Sequence, residues 1–93
     1  MTAIRERDIE RYLVTRVTDA GGEIRKCKWI GRRGAPDRRV MLHGGHWVEL
    51  KAPGETLRPE QAREHERMAK HGDPVYTLDT FQLVDHFMEE ITR

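Results

Sequence analysis

The chain has 93 residues and a mass of 10.9 kDa, enough for one small core, and we expect a single domain over residues 1–93. Apolar residues make up 37% and charged residues 35%, and the apolar ones are periodic, which argues against disorder. No apolar run approaches the roughly 18 residues of a membrane span, no secretory leader is recognisable, and the single cysteine, Cys27, excludes an internal disulfide or a cysteine-based zinc site. The expectation is a soluble, intracellular, cytoplasmic protein.

Residues from about Ala3 to Ala20 read as an amphipathic helix, with Ile9, Leu13, Val17 and Ala20 on one face. At about 100° per residue, Glu6 falls within roughly 60° of that stripe. A carboxylate there is costly unless paired or bound to a metal. In the first helical turn it also complements the helix dipole and can reach solvent. Glu10 lies nearer the edge of the stripe and is the alternate. Gly21-Gly22 ends the helix.

Glu23 to Ile30 predicts a strand, Gly31 to Pro36 a loop. The net charge of +1 conceals a concentration here. Residues 25–39 carry +6, through Arg25, Lys26, Lys28, Arg32, Arg33, Arg38 and Arg39 against Asp37 alone, while the rest of the chain carries −5. A basic, glycine-containing segment is a phosphate-binding candidate, and the bland alternative is a solvated loop without a partner. Trp29 borders it and could stack on a base. Arg32 and Arg33 are the best phosphate contacts.

Arg38 to His43 and His46 to Lys51 predict a hairpin around Gly44-Gly45. A three-residue loop, His43 to Gly45, would pair Leu42 with His46, Val40 with Val48 and Asp37 with Lys51. Val40, Leu42, Val48 and Leu50 then share an apolar face, and Asp37, Glu49 and Lys51 gather on the other. Two nearby carboxylates offer hard oxygen ligands for Mg²⁺ or Mn²⁺, and a lysine could hold water and offset phosphate charge. This is a kit for hydrolysing a phosphodiester.

Pro59 opens a helix to about His71, and Gly72-Asp73-Pro74 stops it. Val75 to Leu78 predicts a strand. Asp79 or Thr80 caps a last helix with Phe81, Val84, Phe87, Met88 and Ile91 inward. The order αβββαβα predicts an α/β fold with a mixed sheet flanked by helices. His43 and His46 read as turn residues, and His65 and His71 fall on different helix faces, so neither pair is a metal site. Cys27 reads as a strand residue. Trp47 is expected in the core or at a dimer contact.

Gly34-Ala35-Pro36-Asp37, Glu49-Leu50-Lys51-Ala52-Pro53-Gly54 and Leu57-Arg58-Pro59-Glu60-Gln61 together resemble the VRR-NUC domain of the PD-(D/E)xK nuclease superfamily. Arg5-Glu6-Arg7-Asp8-Ile9 resembles the family's first helix. The resemblance implies the restriction-endonuclease-like core and a divalent-metal nuclease. Asp37, Glu49 and the Leu50 carbonyl would bind the metal with Glu6, Lys51 would position water, and Gln61 would sit near the site. Stand-alone members resemble Holliday-junction resolvases, which implies a homodimer acting on branched DNA in phage replication, recombination or repair, in the host cytoplasm if phage-encoded, with no nucleotide cofactor. The expected DNA contacts are Lys26, Lys28, Arg32, Arg33, Arg38 and Trp29. The rival readings are a non-catalytic DNA-binding module and a nuclease subunit that needs a partner.

Overall fold

The computed structural model describes residues 3–93. Its elements are α1 (Glu6–Asp19), β1 (Glu23–Lys26), β2 (Arg38–Met41), β3 (Gly45–Leu50), α2 (Pro59–Lys70), β4 (Val75–Leu78) and α3 (Phe81–Ile91). They form a four-stranded sheet in the order β1-β2-β3-β4. The first three strands are antiparallel, and β4 runs parallel to β3 after the α2 crossover. This is the mixed α/β sheet that the element order predicts.

Strand alternation divides the sheet into two faces. Val40, Val48 and Leu50 point to the face that packs on Ile9, Leu13 and Val17 of α1 and on Val84, Phe87, Met88 and Ile91 of α3. All of these are buried. Thr80 caps α3, its Oγ1 accepting from Leu83 N at 3.0 Å. Glu49 points to the opposite face, under α2. Among the described residues no helix is long and apolar enough to cross a membrane.

The hairpin has the expected odd loop, but at Leu42–Gly44 rather than His43–Gly45. Val40 lies opposite His46 and Arg38 opposite Val48, a shift of two that keeps every residue on its predicted face. The reason is local. His43 (φ 52°) and Gly44 (φ 102°) both take left-handed conformations, and Leu42 N donates to Gly44 O at 2.9 Å. The His46 ring then occupies the core face beside Phe87, with ring centroids 6.0 Å apart. One further step along this ladder puts Asp37 opposite Glu49, not Lys51.

Outside the hairpin, two elements are shorter than expected. α1 begins at Glu6 instead of Ala3, where Arg5 N donates to Asp8 Oδ2 at 2.8 Å and fixes the start. β1 stops at Lys26 instead of Ile30, because its partner β2 begins at Arg38. A last bond, Cys27 N to Asp37 O at 2.8 Å, ties the strand end to the start of β2 before the chain leaves the sheet.

Candidate active site

The site is built where β2 begins, β3 ends and α2 starts. Asp37 Oδ1 accepts from Leu50 N at 3.4 Å, which holds the carboxylate against the end of β3. Glu49 is 3% exposed. Its Oε2 accepts from Gln61 Nε2 at 3.1 Å and lies 3.9 Å from Lys51 Nζ. Its Oε1 is buried without a hydrogen-bond partner among the described residues.

The α2 start explains how Gln61 reaches Glu49. Arg58 is the N-cap and Pro59 the first helical residue, so Gln61 is the third. Its Oε1 accepts from Arg58 N at 2.9 Å, and its amide nitrogen is left for Glu49. Gly34 lets the basic loop approach this turn. Its φ is +85°, and a Cβ there would lie 2.2 Å from Glu60 O.

Burial dominates the titration of the pair. It raises Asp37 to about 6, with the Glu6 charge adding to the rise against the Leu50 hydrogen bond and Lys51. It raises Glu49 to about 7, helped by Asp37 and Glu6 and opposed by Lys51 and Arg58. A buried and a half-buried carboxylate that repel each other, with one oxygen of the buried one orphaned, fit a hard divalent cation. Mg²⁺ is commonly held by one or two carboxylates with oxygen donors completing the shell. Asp37, Glu49 and the Leu50 carbonyl are the residues that would hold it. Among the described residues no three His, Cys, Asp or Glu side chains converge to hold an ion by themselves.

Several expected residues sit differently. Glu6 is exposed rather than buried in the stripe, since no helical turn precedes it to cover it. Its charge still acts on Asp37 and Glu49. Glu10 is committed elsewhere, in an ion pair with Arg38. Arg38, expected at DNA, is 6% exposed and also donates to Asp37 O at 3.0 Å. It lies on the core face by strand alternation, where only a carboxylate makes a guanidinium tolerable. Arg32 Nε donates to both oxygens of buried Glu64 at 2.9 Å, anchoring the loop to α2 with half of its side chain exposed. Lys26, Lys28 and Arg33 are exposed.

Trp47 is half-buried outside the core. Its Nε1 donates to Asp73 Oδ2 at 3.0 Å, Arg39 lies 4.3 Å over its ring, and Trp29 meets it edge to face at 5.6 Å. His65, which the sequence pairs only with His71, is a neighbour of the site. It is buried, its Nε2 lies 4.0 Å from Glu49 Oε1, and burial lowers its pKa. The signal was its i+4 spacing from Gln61, which puts both on one helix face.

A separate groove of 520 Å³ lies between α1 and the start of α3, lined by Ile4, Tyr12 and Phe81. It is mostly apolar, with Asp8 and Arg11 in its wall, and neither Asp37 nor Glu49 lines it.

Carboxylates and a lysine at the end of a central strand, on this fold, define a nuclease-type domain. No family model matches the sequence. A protein of Acyrthosiphon pisum secondary endosymbiont phage 1, named "Putative nuclease p44", is 47% identical over 85 residues, which are 89% of this chain and 91% of that protein. A solved structure described as "VRR_NUC domain" matches with a TM-score of 0.82 and 37% identity, over 94% of this chain and 97% of that one. The chain belongs to the VRR-NUC family of nucleases. The fold is one that uses divalent metal ions generally.

Proposed function

We propose that this chain is a Mg²⁺- or Mn²⁺-dependent DNA endonuclease that cuts branched DNA such as a Holliday junction. The observation that carries the reading is Glu49, buried with Oε1 unpartnered among the described residues while Asp37 stands opposite and Lys51 lies 3.9 Å away. In this reading Asp37, Glu49 and the Leu50 carbonyl hold the cation, with Glu6 reaching in from the first turn of α1. A divalent cation supplies Lewis-acid stabilisation of phosphate charge and lowers the pKa of water. Lys51 holds the attacking water and offsets negative charge on the phosphate. Gln61 fixes Glu49. The attack forms one P–O bond and breaks the bond to the leaving oxygen; the water's proton goes to solvent, and solvent returns one to the leaving oxygen, which departs as a hydroxyl. Lys26, Lys28, Arg32 and Arg33 grip backbone phosphates and so read shape rather than base order.

A homodimer belongs to the same proposal, with the mostly apolar α1–α3 groove as its seat, and two sites related by a two-fold axis would cut a branched substrate symmetrically. Sedimentation checks the stoichiometry. The phage origin of the 47% identical relative supports a role in phage DNA replication, recombination or repair inside a host cell.

The test is a cleavage assay with Mg²⁺, Mn²⁺ or EDTA on a four-way junction, a flap, single strands and duplex, with wild type, Glu49→Ala and Lys51→Ala. Metal-dependent cutting that both substitutions abolish supports the reading, and junction over duplex cutting supports the substrate class. Metal-independent binding with no cutting on any substrate overturns it.

A further inference from the structure

We infer that the cleft beside the carboxylates is a subsite for one unpaired nucleotide flanking the cut. The inference rests on the nuclease reading for the nature of the ligand. The cleft has a volume of 360 Å³ and is lined by Lys28, Arg32, Arg33 and Arg58 together with Trp29 and Ala35. Its one acid, Glu60, is occupied by Arg58 Nε at 3.4 Å. The lining carries a net positive charge, with Lys28 and Arg33 the cations not held in an ion pair among the described residues.

Two links join the cleft to the site. Ala35 lines it and lies two residues before Asp37. Arg58 lines it too, and its backbone N–H donates to Gln61 Oε1 at 2.9 Å while the same amide donates to Glu49 Oε2 at 3.1 Å. A nucleotide in the cleft is therefore a near neighbour of the phosphate between the carboxylates.

Cations alone would describe a groove for any phosphate backbone. The aromatic wall adds a second requirement. Trp29 is held by Trp47, which Asp73 and Arg39 hold in turn. A ring fixed this way loses little freedom when a base stacks on it. A base within a duplex has both faces covered by its neighbours and cannot stack on a side chain. An unpaired base has a face free, and this is how unpaired bases are recognised on aromatic side chains. Arg32 is pinned by Glu64, which shapes the cleft before any ligand arrives. The combination selects DNA with a base outside the helix, as at a flap or in a single-stranded stretch beside a junction.

The test measures binding in EDTA, where no cutting occurs. Fluorescence anisotropy compares a labelled duplex carrying a one-nucleotide flap with the same duplex fully paired. Wild type is expected to favour the flap by at least about ten-fold. Trp29→Ala and Arg58→Ala are expected to bring the ratio close to one, and Trp29→Phe to restore most of it. Ile30→Ser lies on the same loop, fully exposed and outside the cleft, and is expected to keep the wild-type ratio. Equal binding of the two substrates by wild type overturns the subsite, as does a ratio that survives both Trp29→Ala and Arg58→Ala. Arg58 is exposed, so its variant remains informative if Trp29→Ala fails to fold. Flap preference without cutting in Mg²⁺ or Mn²⁺ sinks the nuclease reading and keeps the subsite. Cutting without flap preference does the reverse.

Discussion

Gln61 Nε2 donates to Glu49 Oε2 across 3.1 Å, and the other end of the same amide accepts from Arg58 N at 2.9 Å. One side chain thus starts α2 and orients the carboxylate at the end of β3. Gln61→Leu removes both bonds in a buried place. Loss of a partner that orients a metal ligand commonly costs 10–100-fold in affinity or activity, and a buried acceptor left unsatisfied costs about 1–3 kcal/mol of stability. Single-turnover cleavage and thermal melting are expected to show both losses. Gln61→Glu keeps an oxygen for the Arg58 N–H but sets a charge against Glu49. It is expected to retain helix α2 and lose cleavage.

Replacing either carboxylate is expected to stabilise the metal-free protein while ending its chemistry. Burial is the main reason that Asp37 rises to about 6 and Glu49 to about 7, so at pH 8 both are held charged in an unfavourable place. Glu49→Gln or Asp37→Asn keeps the shape and removes a charge. The metal-free melting temperature at pH 8 is expected to rise above wild type. The rise that Mg²⁺ gives wild type is expected to vanish. A variant that melts lower than wild type at pH 8 without metal would show that the pair is not strained in this way.

The pH dependence has a definite sign. Both pKa values are raised above their ordinary 3.8 and 4.5, so the folded chain keeps protons that the unfolded chain releases. The stability these groups contribute is present below pH 4 and is lost as pH rises through 6 and 7. His65 works the other way, since burial lowers its pKa and favours the fold at higher pH. Subtracting the melts of an Asp37→Asn, Glu49→Gln double variant isolates the carboxylates. That difference is expected to grow between pH 5 and pH 8 in EDTA. In Mg²⁺ at ten times its Kd, wild type gains about 1.4 kcal/mol, or about 6–11 °C for a domain of this size, and the gain shrinks toward pH 5.

The sheet faces, the element order and the carboxylate pair were legible because they depend on parity and apolar periodicity. A loop displaced by one residue moved every cross-strand partner by two, and it left Asp37 and Glu49 on one face. Pattern alone cannot fix that displacement, because it depends on the left-handed backbone at His43 and Gly44. The identity of ion-pair partners was harder to read. Arg38 looked like one more cation of the basic segment until the fold brought Glu10 to it from 28 residues away. His65 invites comparison with His71 on its own helix, although Gln61, one turn earlier, shares its face. Trp47 was legible as aromatic and large, but the sequence did not show that Arg39 and Asp73 would hold it outside the core.

Arg38 and Arg33 are expected to separate structure from binding. Arg38 is buried against Glu10, whereas Arg33 is exposed on the basic loop. Glu10→Ala leaves a buried guanidinium with Asp37 Oδ2, 3.5 Å away, as its remaining carboxylate, and breaking a buried pair costs about 3–5 kcal/mol, less where solvent or a second acid reaches one partner. Glu10 is about one-third exposed, so the lower end is the expectation, read as a melting shift of about 10 °C or more. Arg38→Met removes the charge that needed pairing and is expected to cost less than Glu10→Ala. Neither change should alter the slope of log affinity for DNA against log salt. Arg33→Ala should leave the melting temperature near wild type and reduce that slope by about one, as removal of a single phosphate-neutralising cation does. A reduced slope for Arg38→Met would instead put its guanidinium at the DNA.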